Sequence, residues 1–164
     1  MWSRIFRREL IAESGIGFRE GVVLEDAEFL MCMHALAKRV GNVKEILYNY
    51  RSFPTSASKE VNPVKYLGHA MAAMDAIYET MTGITVYEEV QDAVEYVIFQ
   101  LISYCTNMCL GYGKNAPGFD MNLKLKEIEK RMQNYIVKPY KDNRYIQAKI
   151  SKMDLQIMKD TYKL

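Results

Sequence analysis

Apolar residues recur every three to four positions along most of the chain, and this spacing predicts helices that bury one face. The pattern is regular in residues 26–39, where an apolar stripe ends just before Gly41, a residue type favoured directly after a last helical turn. Pro63 suits the first turn of another helix. Predicted helices therefore cover about residues 2–13, 26–39, 62–81, 86–110, 122–137 and 151–163.

Two short stretches in the first third of the chain favour extended structure instead. Residues 22–24 are β-branched or apolar and suit a sheet core, and residues 42–50 alternate enough to form a strand. From residue 62 onward the pattern predicts helices. The fold class that follows is mainly α with a small β portion.

The composition is that of an ordinary globular protein, with 49% hydrophobic and 26% charged residues among 164. The net charge of +2 is unevenly spread. Residues 1–110 hold 10 Lys and Arg against 14 Asp and Glu, whereas residues 111–164 hold 12 against 6. The basic C-terminal part could face anionic lipid or an acidic partner. Its lysines alternate with acids, which is also typical of a solvated helical face.

The cysteines indicate a reducing compartment, because Cys32, Cys105 and Cys109 are an odd number without the spacing of a disulfide framework. Cys105 and Cys109 lie one helical turn apart, but no second pair of ligands accompanies them, which favours core packing over a metal site. The apolar residues 96–110 are fewer than the roughly 20 that a spanning helix needs, so we predict a buried helix. No secretory leader is expected after Met1, and we predict a cytoplasmic protein.

Glu25 and Asp26 stand where the apolar residues 22–24 give way to a predicted helix. One interpretation is a helix start, with Asp26 as the N-cap and acids in the first turn that suit the helix dipole. The other is a catalytic base held on a rigid element at the lip of a cleft. The two are compatible, because a helix start can fix the direction of a carboxylate.

Other short motifs accompany this acidic pair over residues 1–58. The motifs are an aromatic and basic helix at residues 2–10, Gly15 to Gly21 with the run Phe18-Arg19-Glu20-Gly21, Glu25-Asp26 with Phe29, Tyr48-Asn49-Tyr50-Arg51, and Ser56-Ala57-Ser58. In that order and spacing they resemble the C-terminal part of the catalytic domain of family 2 glycosyltransferases, which have the GT-A fold. Those that build bacterial surface polysaccharides look most similar.

The resemblance implies two regions and a role for each motif. Residues 1–58 would be an incomplete C-terminal part of an α/β GT-A domain, and residues 59–164 a helical, bundle-like extension. Asp26 would be the general base of an inverting transfer from a nucleotide sugar, with Glu25 orienting neighbours or hydrogen-bonding the acceptor. The expected substrate-binding residues are Trp2 and Arg4 beside the cleft, and Arg51 and Ser56 in the active-site lid, where Arg51 would meet the donor diphosphate.

The family's Asp-x-Asp motif, which binds Mg²⁺ or Mn²⁺ and the nucleotide diphosphate, does not occur in these 164 residues. In the family, metal ligands and uridine-binding residues belong to an N-terminal half. Two explanations fit: the chain is part of a longer enzyme that carries this half, without which this part would be inactive, or it is a degenerate descendant of the family with a new role. The first explanation needs fewer assumptions. Residues 1–58 would then lack most of a parallel sheet. We expect them to be loosely packed or to lean on the helical region.

We therefore expect the acceptor-side part of an inverting, nucleotide-sugar-dependent glycosyltransferase of bacterial surface polysaccharide synthesis. Its partners would be a nucleotide-sugar donor and a glycan or lipid-linked acceptor, with peripheral contact at the inner face of the plasma membrane and no nucleic acid. The alternative is a non-catalytic helical module that docks on a partner or a membrane surface. In that case Glu25 and Asp26 only begin a helix.

Overall fold

The computed structural model describes residues 3–51, 63–113 and 116–164. Within these ranges the chain forms helices arranged around one long central helix, and it forms no strand. The helices are α1 (Arg8–Ser14), α2 (Glu25–Leu36), α3 (Pro63–Thr82), α4 (Tyr87–Tyr112), α5 (Met121–Tyr135), α6 (Arg144–Lys149) and α7 (Lys152–Tyr162).

The central helix α4 supplies the middle of the core. It packs against α2, α3, α5, α6 and α7. Ile98, Phe99, Ile102 and Cys105 are at most 1% exposed, and their spacing of one, three and four residues places them on one inward face. Complete burial of an apolar side chain of this size stabilises a protein by about 1.5–3 kcal/mol.

By length and composition, α4 is also the one helix of the described ranges that could cross a membrane, since it has 26 residues and few charges. Half of the most apolar 18-residue stretch of α4 is buried inside the fold. Burial of one face against five neighbouring helices is the pattern of a core helix. This agrees with the prediction of a buried helix at residues 96–110.

The fold class is confirmed as mainly α, but the predicted small β portion is wrong for the described residues. Residues 22–24 belong to a turn in which Gly21 and Leu24 have φ angles of 72° and 69°. Residues 42–50 are exposed and irregular. A strand needs a neighbouring strand to pair its backbone N–H and C=O groups, and residues 3–51 contain no such pair. These residues show none of the sheet that the GT-A resemblance implied.

Helix α2 fastens the N-terminal region to the helical region. Its residues Phe29, Cys32 and Met33 are at most 2% exposed, and α2 packs along α3. The thiol of Cys32 lies 3.6 Å from the sulfur of Met81 on α3. Within residues 1–58, α2 therefore packs against the helical region, as expected.

Unlike α2, the segment that follows it, residues 37–51, exposes apolar side chains to solvent. Val40, Ile46 and Leu47 are 70%, 89% and 77% exposed. The alternation of apolar residues predicted a strand here, yet these three side chains are exposed and do not pack against an apolar surface. The alternation of residues 42–50 is thus typical of a strand, but the described ranges contain no sheet with which this segment could pair.

Helix ends follow their local signals more closely than the strands do. Helices α3, α4, α5 and α7 lie within about two residues of their predicted ranges. Ser151 caps α7 by accepting the N–H of Asp154 at 3.0 Å. The six-residue α6 was not predicted, although Asn143 caps it by accepting the N–H groups of Tyr145 and Ile146.

A fully buried carboxylate joins the last helices to the core. Glu95 of α4 is 0% exposed, and its Oε1 accepts from Gln91 Nε2 at 2.9 Å and from the Val137 N–H at 3.2 Å. Its Oε2 lies 3.4 Å from Asn143 Nδ2. Because a buried charge is costly unless it is hydrogen-bonded, these contacts fix the connection between α5 and α6 against α4.

Candidate functional site

The acidic pair lies in the first turn of α2. Leu24 is the residue before the helix, with φ 69° and ψ 22°, and no side chain caps the turn. The interpretation of Asp26 as the N-cap is therefore wrong. Glu25, Asp26 and Glu28 are instead first-turn acids, which the positive end of the helix dipole favours. The carboxylates of Glu25 and Asp26 belong to half-buried residues at the surface.

Leu24 is strained, because a non-glycine residue with positive φ costs about 1–2 kcal/mol. Such conformations persist only where the surroundings hold them, and they concentrate at functional sites. Here the half-buried Leu24 side chain packs against the core. The left-handed turn at Leu24 sets the direction in which α2, and with it the acidic pair, leaves the preceding loop.

Aromatic rings hold that loop in place. Phe18 stacks on Phe29 with ring centroids 4.4 Å apart and an interplanar angle of 27°. Phe6 meets Phe29 edge-on, with ring centroids 5.6 Å apart. Such pairs contribute about 0.5–1.5 kcal/mol beyond area burial. The predicted motif residues Phe18 and Phe29 are thus in direct contact beside the acidic pair.

Glu28 is the residue of this site that sequence reasoning missed. It is 8% exposed, and its Oε1 accepts the Thr80 hydroxyl at 2.6 Å. Its Oε2 lies 2.8 Å from Arg19 Nε, and Arg19 also donates to the carbonyl of Ala72 on α3 at 3.3 Å. The sequence did offer a signal for Glu28, because this acid is next to Phe29 of the apolar stripe, and a charged group that is buried there needs a partner.

Two tyrosines on neighbouring helices of the helical region lie in contact with each other. The rings of Tyr66 on α3 and Tyr104 on α4 meet edge-to-face, with centroids 5.9 Å apart and an angle of 71°. Burial, then the interaction with Tyr104, and also the negative charge of Asp26 raise the pKa of Tyr66 above its ordinary value of 10.0.

The structure places the other predicted site residues only in part. Trp2 and Ser56 lie outside the described residues. Arg4 is exposed before α1, and Arg51 is exposed at the end of the segment that follows α2. Only Glu25 and Asp26, which are consecutive in α2, are brought together by a described element. The substrate-binding roles of Trp2, Arg4, Arg51 and Ser56 stay predictions.

The described ranges contain no group of three or more His, Cys, Asp or Glu side chains that could hold a metal ion. All three cysteines are free thiols and are buried. Burial is the main cause that raises the pKa of Cys105 to about 12 and those of Cys32 and Cys109 to about 11, from an ordinary 9.0. Such thiols are poor metal ligands and nucleophiles at neutral pH, because the thiolate is the reactive form.

Comparisons of the chain with known protein families, with curated proteins and with solved structures find no match. The motifs of residues 1–58 and the geometry of α2 and its neighbours are therefore the features from which a function is proposed.

Proposed function

We propose that this chain is the acceptor-side part of an inverting, nucleotide-sugar-dependent glycosyltransferase of bacterial surface polysaccharide synthesis. In this proposal Asp26 is the general base, and the donor and metal sites belong to another part of a longer protein. The proposal takes its chemistry from the motif resemblance over residues 1–58. Its support in the geometry comes from the way α2 carries the acidic pair.

The observation that carries the proposal is a carboxylate on a firmly anchored helix start. Asp26 is half-buried at the surface, whereas Glu28 and Phe29, in the same turn and the next, are 8% and 2% exposed. A general base must be held within hydrogen-bond reach of the proton it removes, and a packed helix holds a side chain more accurately than a loop. The buried side of α2 supplies that accuracy.

The reaction proposed is a single displacement. Asp26 takes the proton of an acceptor hydroxyl while that oxygen forms a bond to the anomeric carbon of the donor sugar. On the opposite face the bond from that carbon to the diphosphate breaks, and the nucleoside diphosphate leaves with the electron pair. Glu25 hydrogen-bonds the acceptor or orients its neighbours. Arg51 steadies the diphosphate, with Trp2, Arg4 and Ser56 contacting substrate.

The full enzyme is proposed to use Mg²⁺ or Mn²⁺, but the described residues do not fit a metal site, because no group of three ligating side chains occurs among them. No step of the proposed displacement is therefore derived through a metal ion. What these residues would contribute is the removal of the acceptor proton and the binding of the acceptor.

The test is Asp26→Asn in the protein expressed from the source DNA together with any in-frame sequence that precedes Met1. Transfer is measured from radiolabelled uridine-diphosphate sugars to a lipid extract of the source organism. Loss of a general base typically lowers the rate by a factor of about 10²–10⁴. We expect at least a hundredfold loss, with far-UV circular dichroism unchanged.

Glu89→Gln is the matched control. Glu89 is an exposed first-turn acid of α4, so its neutralisation removes a comparable dipole interaction of about 0.3–1 kcal/mol. The control should keep full transfer activity. If the Asp26→Asn protein and the control transfer sugar equally, Asp26 is only a first-turn acid and the proposed mechanism is wrong.

A second candidate function, docking on an anionic membrane surface, is favoured by the surface around Tyr140. The ammonium groups of Lys141 and Lys159 both lie over its ring, 5.7 Å and 5.6 Å from the centroid. Val137 and Met153, in the same C-terminal region, are 68% and 71% exposed. Basic residues with exposed apolar side chains suit an interface with anionic lipid.

Sedimentation with phosphatidylglycerol vesicles tests this second candidate. The chain should bind these vesicles, should not bind phosphatidylcholine vesicles, and should be released by salt, because each nearby cation contributes about 1 kcal/mol that salt screens. The double substitution Lys141→Glu and Lys159→Glu should abolish binding. Equal binding to both vesicle types would contradict docking through charge.

A further inference from the structure

The segment 37–51 leaves its aliphatic side chains uncovered, although it directly follows the buried helix α2. Val40, Val43, Ile46 and Leu47 are 70%, 63%, 89% and 77% exposed. Residues 38–47 take part in none of the backbone hydrogen bonds that join described residues, and they form neither helix nor strand. A contiguous apolar surface that stays exposed in this way usually marks an interaction site.

The same segment has the residue spacing of a helix. The apolar stripe of α2 ends at Leu36, and Val40, Val43 and Leu47 follow it at intervals of four, three and four residues. Such intervals place side chains on one face of a helix. In the structure α2 ends at Leu36 and Ala37 is extended, with ψ 117°. A helix beyond this point would contain a glycine and leave its apolar face uncovered, and both features make it unstable in water.

The segment is also basic, because it holds four Lys or Arg residues and one Glu. Lys38, Arg39 and Lys44 are exposed, and in the described part of the chain they make no ion pair. In a helix Arg39 and Lys44 would lie at the two edges of the apolar face. From such positions long basic side chains reach the headgroups of a lipid surface while the apolar face inserts.

We propose that the segment 37–51 binds an anionic lipid surface, folds into a helix there and inserts Val40, Val43 and Leu47 among the headgroups. Charge complementarity identifies the partner, since the unpaired cations need anions that the described fold does not provide. A second copy of the segment would instead bring like charges together, which disfavours pairing. This site is separate from the surface around Tyr140 and does not depend on the proposed transfer reaction.

Sedimentation with phosphatidylglycerol vesicles, combined with far-UV circular dichroism, tests the proposal on the whole chain. The parent should bind and should gain helix over about a dozen residues, whereas phosphatidylcholine vesicles should cause neither change. Leu47→Ser should weaken binding about tenfold, because burial of one leucine contributes roughly that factor or more. Since Leu47 is exposed without lipid, this substitution should leave the free fold intact.

Gly41→Ala tests whether the segment becomes helical on the membrane. A Cβ at Gly41 would meet no described atom within 4 Å, and the φ angle of Gly41 is not left-handed, so alanine should not disturb the free protein. Alanine favours a helix over glycine by a free energy that corresponds to about a fivefold change in affinity. The Gly41→Ala protein should therefore bind about fivefold more tightly. An unchanged affinity would contradict folding of the segment on lipid.

Leu123→Ser is the matched control. Leu123 of α5 is 51% exposed, so this substitution removes an exposed leucine outside the segment. The control should bind vesicles as the parent does. Equal binding by the Leu47→Ser and Leu123→Ser proteins, or binding of the parent without a gain of helix, would overturn the proposal.

The same assay separates the segment from the functions proposed above. If the double substitution of Lys141 and Lys159 weakens binding and Leu47→Ser does not, the surface around Tyr140 alone contacts lipid and the proposal for the segment is wrong. Asp26→Asn should bind as the parent does, so failure of the transfer mechanism leaves this proposal intact. A parent that is dimeric without lipid and becomes monomeric through Leu47→Ser, as analytical ultracentrifugation would show, would assign the segment to a second copy and refute the lipid site.

Discussion

Removal of Arg19 should destabilise the fold chiefly by leaving Glu28 without its cation. Glu28 is 8% exposed, and its carboxylate keeps only the Thr80 hydroxyl once the guanidinium is gone. A buried charged group that loses its partner costs about 1–3 kcal/mol or more. The Arg19 side chain is 41% exposed, so solvent screening places the expected cost of Arg19→Ala near the lower end, about 1.5 kcal/mol.

The opposite change is milder. Glu28→Gln removes the charge and keeps an acceptor oxygen for Thr80, and the released guanidinium of Arg19 can turn to water. We expect a cost of about 0.5–1 kcal/mol. In the double variant no buried charge stays unpaired, so its cost should be about 1 kcal/mol smaller than the sum of the two single costs.

Urea unfolding followed by far-UV circular dichroism measures these free energies. The control is the same cycle on Lys124 and Glu127, a pair with both side chains 35% exposed, for which we expect a coupling below about 0.5 kcal/mol. Additivity within about 0.3 kcal/mol for Arg19 and Glu28 would refute the argument that this ion pair fastens the loop to α2 and α3.

Three further predictions concern other buried or paired groups of the fold. The buried thiols have raised pKa values of about 11 and 12, so the thiols of the unfolded state lose their protons at lower pH than those of the folded state. The contribution of these thiols to the free energy of unfolding should be fully present below pH 9 and should fall above it, by up to about 1.4 kcal/mol per pH unit for each thiol. Urea titrations at several pH values measure this fall. Asp75 accepts both Arg131 contacts and the Tyr135 hydroxyl at 2.8 Å, so Asp75→Ala should cost about 2 kcal/mol in the same assay, whereas a value under about 0.5 kcal/mol would contradict a structural role for this network. Ile98→Ala should cost about 2–5 kcal/mol, because Ile98 is 0% exposed in the core helix, and a thermal midpoint equal to that of the parent would contradict its burial.

Helices α3, α4, α5 and α7 could be predicted from the sequence because their signals are local. A four-residue apolar spacing, a Pro in the first turn and a capping Ser151 each act within one or two turns. Residues 42–50 could not be predicted in the same way. Their alternation is genuine, but a strand exists only with a paired neighbour, and no local signal reports whether one is present.

In the candidate site, too, local features could be predicted and contacts between distant residues could not. The acidic pair follows from a contiguous motif, whereas the contact of Phe18 with Phe29 joins two motif residues and was not predicted. Glu28 meets Arg19 and Thr80 across 9 and 52 residues of sequence, and Tyr66 meets Tyr104 between two helices. Such pairs depend on helix packing, which the spacing of apolar residues constrains but does not determine.

The central claim is that the acidic pair belongs to a glycosyltransferase whose donor site lies elsewhere in a longer protein. The most direct measurement is the DNA sequence upstream of the Met1 codon in the source genome, read together with the start of the messenger RNA. The account predicts an in-frame coding extension of about one further domain, roughly 150–200 residues, that contains an Asp-x-Asp motif. A stop codon in frame before Met1, with a ribosome-binding site between them, would contradict it.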